Sequence, residues 1–191
     1  MMIPLPIPAS LKKSLISGNA IGSRHLFIQL FFVVLGLSFA FTGQSQTIRT
    51  WNNANGGAWG TASNWIGGVP VANDIVVINA NVSAPITGVP SISLRKLRVN
   101  GNCQLEAGAS NVTLTVTDSL FVGSGITMKV GVTSGKMSFT LGAASKAEIN
   151  GTFVQNAGNP TGTFTSSGDL AFGPSALISG TGAFSLSRGA T

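Results

Sequence analysis

The chain has 191 residues, of which 25 are glycine, one is cysteine, one is histidine and none is tyrosine, and its formal charge is +6. The lone cysteine, Cys103, excludes an intrachain disulfide. The lone histidine, His25, falls in a segment expected to be cleaved, so Ser-His-Asp catalysis, Cys-His catalysis and His-based zinc sites are excluded from what remains.

The first element is a leader. Lys12, Lys13 and Arg24 precede "LFIQLFFVVLGLSFAF" (Leu26 to Phe41), which is apolar except for Gln29 and Ser38. A basic flank, an apolar run of about 15 residues and then small polar residues is the layout of a secretory signal peptide. The run is short for a membrane span, which needs about 20 apolar residues. Membrane contact is therefore expected only through the leader before cleavage. Small residues favour a cut after Ala40 or after Ser45. The flank is long and contains "IPLPIP", which fits a true start nearer Arg24. After Ser45, eight basic and five acidic residues remain, a formal charge of +3. The remaining bases are scattered apart from Arg95, Lys96 and Arg98, and no nucleic-acid motif accompanies them. About 146 residues are enough for one domain with a real core. Abundant Gly, Thr, Ser, Val and Asn with few charges favours strands and tight turns.

Next comes "WNNANGGAWGTASNWIGGVP" (Trp51 to Pro70), which holds all three tryptophans. Two readings fit it. Trp51, Trp59 and Trp65 could stack on sugar rings, or Trp51 and Trp65, with Pro70 and Asp74, could form a structural cap over a downstream core. Each ring is able to bury on the order of 200 Å². Gly56, Gly57, Gly67 and Gly68 permit backbone conformations that a side chain forbids. Pro70 locks the approach to a turn, and Asp74 can accept from neighbouring backbone N–H groups and fix the entry into the next strand.

"DIVVI" (Asp74 to Ile78) reads as a buried strand. "SISL" and "LRV" alternate on either side of Arg95-Lys96, where the parity breaks as at a corner or bulge. A repeat follows. "LRVNG", "LFVGSG", "AEINGT" and "LAFGP" start at Leu97, Leu120, Ala147 and Leu170, which are 23, 27 and 23 residues apart. Each is followed by a second strand ("CQL", "ITMKV", "TFV", "ALI") and a third, beginning at Leu114, Phe139, Thr163 and Phe184. Three short strands per period predict a right-handed parallel β-helix with a Trp-rich N-terminal cap. An antiparallel β-sandwich is the alternative. The inward positions are expected at Leu97, Val99, Cys103, Leu105, Leu114, Val116, Leu120, Val122, Phe139, Leu141, Ile149, Phe153, Phe164, Leu170, Phe172, Leu177, Phe184 and Leu186. Arg98, Gln104, Thr115, Thr140 and Glu148 are expected to face solvent. The chain thus divides into a leader (1–45), a Trp-rich cap with first strands (46–90) and coils (91–191). "SLSRGAT" closes a third strand without a cap, so the chain is expected to be the N-terminal part of a longer protein, or to self-associate through its last coil.

The stretch "TWNNANGGAWGTASNWIGGVPVANDIVVINANV", followed by "LRKLRVNGNCQLEAG" and "LTVTDSLFVG", resembles the opening of large secreted surface proteins of the Bacteroidetes group. The resemblance covers roughly Thr50 to Gly123. It rests on Trp51, Trp59, Asn64, Trp65, Gly67, Gly68, Pro70, Asp74 and the strand to Ile78. It implies export by the type IX route to the cell surface or medium and an adhesin-like role. A C-terminal sorting domain follows in such proteins, so the chain is expected to be a truncated form or to leave by another route.

The five acids of the remainder, Asp74, Glu106, Asp118, Glu148 and Asp169, are far apart in sequence. No loop holds two of them, as calcium would want, and no paired carboxylates for glycoside hydrolysis stand out. No catalytic residue, cofactor or metal is therefore expected. Cys103 reads as a small buried hydrophobe. Arg95, Lys96 and Arg98 read as a solvated edge, with an anionic glycan or lipid headgroup as the functional alternative. Asn81, Asn111 and Asn150 match glycosylation acceptors that arise easily by chance in such a composition. The expected function is a secreted or surface-attached, non-catalytic, adhesin-like protein whose partner is a surface glycan. A Trp-based carbohydrate-binding module is the alternative, and part of a polysaccharide-degrading β-helix enzyme is a weaker one.

Overall fold

The computed structural model describes residues 46–108, 111–131, 135–156 and 162–187. The leader expected at 1–45 lies outside them, and the described elements all belong to the unit Ser45–Thr191. Among the described residues no helix is long and apolar enough to cross a membrane.

The unit is a parallel β-solenoid of about five coils. Its strands are β1 (Ile48–Trp51), β2 (Gly57–Ala58), β3 (Trp65–Ile66), β4 (Ile75–Ile78), β5 (Ile86–Val89), β6 (Ile92–Val99), β7 (Cys103–Ala107), β8 (Val112–Val122), β9 (Thr127–Val130), β10 (Met137–Leu141), β11 (Lys146–Ile149), β12 (Thr152–Gln155), β13 (Thr163–Ser166), β14 (Asp169–Phe172), β15 (Leu177–Ser179) and β16 (Ala183–Leu186). Each coil visits three faces. The first face stacks β4, the second halves of β6 and β8, β11 and β14. The second stacks β5, β7, β9, β12 and β15. The third stacks the first halves of β6 and β8, then β10, β13 and β16. Every one of these pairings is parallel and joins successive coils, which rules out the antiparallel sandwich.

The expected repeat is the actual ladder. Leu97, Leu120, Ala147 and Leu170 are stacked partners on the first face. The parity break at Arg95 is a bulge: Leu94 pairs with Val116 and Lys96 with Ser119, so one residue of β6 faces two of β8. That shift lets one continuous strand turn from the third face to the first while Leu94 and Leu97 both stay inside.

Inside, side chains stack coil on coil into one apolar column. Cys103, Met128, Phe153 and Ile178 form one row, and Leu114, Phe139, Phe164 and Phe184 another. The rings of Phe139 and Phe164 are parallel with centroids 6.0 Å apart, and Phe153 meets Phe164 edge-on at 4.9 Å. The expected phase needs one correction. On β15 it is Ile178 that occupies the inward row, while Leu177 is 54% exposed. "ALI" is apolar throughout, so alternation cannot choose its parity. On β13 the inward residue is Phe164, as expected. Phe172, Phe184 and Leu186 lie on inward rows but are exposed, because no described strand covers the far edge of β14, β15 and β16. β4 also differs from expectation: only Val76 and Ile78 are buried, and Ile75 and Val77 line the outer surface half-buried.

The corner between the first and second faces is held by asparagine. Asn100 Nδ2 donates to Asn79 Oδ1 at 2.8 Å, Asn102 N to Asn81 Oδ1 at 2.8 Å, and Thr127 N to Asn102 Oδ1 at 2.7 Å. Gly101 between them is required, since a Cβ there would lie 2.1 Å from Ala80 O of the coil before. This is the physical content of the Asn-Gly signal in the repeat.

Candidate functional site

The tryptophan segment covers the N-terminal end of the column. β1 adds to the first face by pairing in parallel with β4, and β3 then runs antiparallel along β1, pairing Trp51 with Trp65. β2 starts the second face against β5. This puts Trp51, Trp59 and Trp65 in the core cluster with Val76, Ile78 and Ile86. The rings meet edge-on, with centroids 4.9 Å apart for Trp51 and Trp65 and 4.7 Å for Trp59 and Trp65. They are only 3%, 1% and 5% exposed for Trp51, Trp59 and Trp65, so none offers a face for stacking on a sugar.

Polar side chains order the loop around these rings. Trp51 Nε1 donates to Asn53 O and Trp65 Nε1 to Trp59 O, both at 2.6 Å. Trp59 Nε1 is buried and has no acceptor. Asn64, itself buried, accepts from Asn53 Nδ2 at 2.9 Å and donates to Ala58 O at 2.9 Å. Gly67, at φ +91°, passes so close to β1 that a Cβ would sit 2.8 Å from Ile48 O. Pro70 is buried beside this turn.

Asp74 is buried and works at two levels. Its Oδ2 accepts from Val71 N at 3.0 Å, which closes the turn into β4. The same oxygen accepts from Arg49 Nε at 2.8 Å, which ties β1 to that turn. The partner Arg49 was not legible in the sequence, because 25 residues separate the two and only coil stacking brings them together.

Arg95 Nε lies 3.0 Å and Lys96 Nζ 3.5 Å from Asp118 Oδ2. The hydrogen bond from Arg95, helped by the charge of Lys96, holds the Asp118 carboxyl below its usual range. Glu106 is buried and accepts from Gln104 Nε2 at 2.5 Å. Glu148 accepts from Asn150 Nδ2 at 2.7 Å, which engages one of the three acceptor-like asparagines. Glu148 and Asp169 stand on adjacent strands, offset by two residues. Among the described residues no three of His, Cys, Asp and Glu come together as a metal site. Cys103 is buried, and burial pushes its thiol up to about 12.

The outer side of the first face carries two rows that sequence reasoning did not join. Ile75, Lys96, Ser119, Lys146 and Asp169 form one; Val77, Arg98, Phe121, Glu148 and Ala171 form the other. They border an open depression of about 720 Å³. Only the "RKLR" end of these rows is visible in sequence; Phe121 and Lys146 join it through the coil ladder. Comparison with protein-family models, with curated proteins and with solved structures gives no match.

Proposed function

We propose that the chain is an exported, cell-surface structural protein of adhesin-like type, without catalysis of its own. The observation that carries this reading is the continuous inward column, closed at its N-terminal end by three buried tryptophans. A scaffold of this kind is held mainly by packing and backbone ladders, and it leaves the outward rows of each face for display. The basic-then-apolar leader of residues 1–45 supports export. The resemblance of Thr50 to Gly123 to Bacteroidetes surface proteins of the type IX group supports the same destination. The burial of Trp51, Trp59 and Trp65 favours the cap over the Trp-based sugar-binding module. A surface glycan remains the partner class that suits an adhesin-like role.

Protease treatment of intact cells, followed by mass spectrometry, tests the location. Peptides from the coils are expected to be released, with the chain starting at Phe41 or Gln46. Recovery of the whole chain from the cytoplasm, leader attached, would refute the proposal.

A further inference from the structure

We propose that the outward side of the first face, from Lys96 and Arg98 across Ser119 and Phe121 to Lys146, binds an acidic polysaccharide laid along the solenoid axis. The inference rests on the reading of the chain as an exported surface protein, and it names the partner and the place. Parallel pairing puts Lys96, Ser119 and Lys146 in one straight row. Two strand spacings separate the two lysines, roughly 10 Å along the axis. Arg98, Phe121 and Glu148 form the neighbouring row. These six side chains carry three cations and one carboxylate, with Asp118 paired to Lys96 and Asp169 next to Lys146 in the same row, and they border the open depression on this face.

Two of the cations are uncommitted. Arg49 and Arg95 each form an ion pair, but among the described residues Arg98 and Lys146 form none. Arg98 is nevertheless held in place. Its Nε donates to Asn100 Oδ1 at 3.2 Å, and its Cζ lies 4.9 Å from the centre of the Phe121 ring. A guanidinium fixed in this way keeps its terminal N–H groups free for a carboxylate or sulfate and loses little freedom on binding. Ser119 supplies a hydroxyl between the two lysines, and Phe121 an apolar surface beside them. Linear rows in a depression suit a polymer chain better than a flat lipid surface. Glu148 and Asp169, which follows Lys146 in its row, set the polarity, since both repel anions at that end of the site.

Binding of the purified chain to sodium alginate tests this, with neutral dextran, anionic phosphatidylglycerol vesicles and a single-stranded DNA oligonucleotide as comparisons. Alginate is expected to bind and dextran not, and binding should weaken as salt rises. Arg98→Ala and Lys146→Ala should each weaken it on the order of 10-fold, while Glu148→Gln strengthens it. Lys129→Ala, on the second face, should leave it unchanged. All four positions are solvent-facing, so circular dichroism should report an unaltered fold. The proposal is overturned if alginate does not bind, if Arg98→Ala and Lys146→Ala bind like the parent, or if vesicles or DNA bind as tightly as alginate. Location is read separately by protease treatment of cells, so loss of the site leaves the surface assignment standing.

Discussion

Arg49 Nε donates to Asp74 Oδ2 at 2.8 Å across 25 residues of sequence, and so locks the first strand of the cap to the turn that starts the first coil. Asp74 is 3% exposed. Removing one partner of a buried pair leaves the other charge without compensation, at a cost of about 3–5 kcal/mol. Arg49 retains some contact with water, so Asp74→Asn should cost less, about 2 kcal/mol, because its amide oxygen can still accept from Val71 N. Asp74→Ala loses both bonds and should cost more. Chemical denaturation of the two variants checks the order. Equal losses would mean that the turn bond contributes nothing.

The three tryptophans are alike in burial but not in polar satisfaction. Trp51 and Trp65 each donate a hydrogen bond from Nε1, and Trp59 does not. Replacement by Phe removes ring volume in all three cases. In Trp51 and Trp65 it also removes that hydrogen bond, adding about 1 kcal/mol; Asn53 O keeps Gly56 N as a donor. In Trp59 it removes a buried N–H without a partner, a gain of about 1–3 kcal/mol that offsets the lost packing. Trp59→Phe should therefore be the mildest of the three by thermal unfolding.

Cys103 should not react with aromatic disulfide reagents in the native state, because only the thiolate attacks. Burial raises its pKa from 9.0 to about 12. The neutral thiol is thus favoured in the fold, and its contribution is fully present below the unfolded pKa and lost as pH rises from about 9 towards 12. The parent should lose about 1 kcal/mol more than Cys103→Ala between pH 8 and pH 10. Denaturation at the two pH values reads the difference.

Asp118 has the opposite sign. Its folded pKa is depressed by the hydrogen bond from Arg95 and by the charge of Lys96. The contribution is present above the ordinary carboxylate range and lost as pH falls through the folded value. The carboxylate is 40% exposed. Solvent screening therefore limits it to below about 1 kcal/mol. Asp118→Asn should lower the melting temperature slightly at pH 7 and less at pH 3, with the pH 7 difference shrinking in high salt.

The coil repeat could be read from sequence because each period spells the same local chemistry: an alternating strand, then Gly or Asn-Gly at a corner that admits no side chain. Leu97, Leu120, Ala147 and Leu170 could be aligned for that reason. Phase was lost where alternation is silent. In "ALI" three apolar residues follow one another, so alternation points to Leu177 as readily as to Ile178. Met128 and Val130 are core residues that the spacing of "ITMKV" did not single out. The turn-forming part of Asp74 was legible because its partner lies three residues away. Arg49, the asparagine ladder and the pairing of Lys96 with Lys146 across Ser119 were not, because each joins residues from different coils.

Incubating the purified chain with a panel of acidic and neutral glycans, and following glycan length by mass spectrometry, separates a non-catalytic surface scaffold from a degrading enzyme. Acidic glycans are expected to be retained, and every glycan to keep its full length. Accumulation of shortened chains from any glycan, above the level of a heat-denatured control, would contradict it.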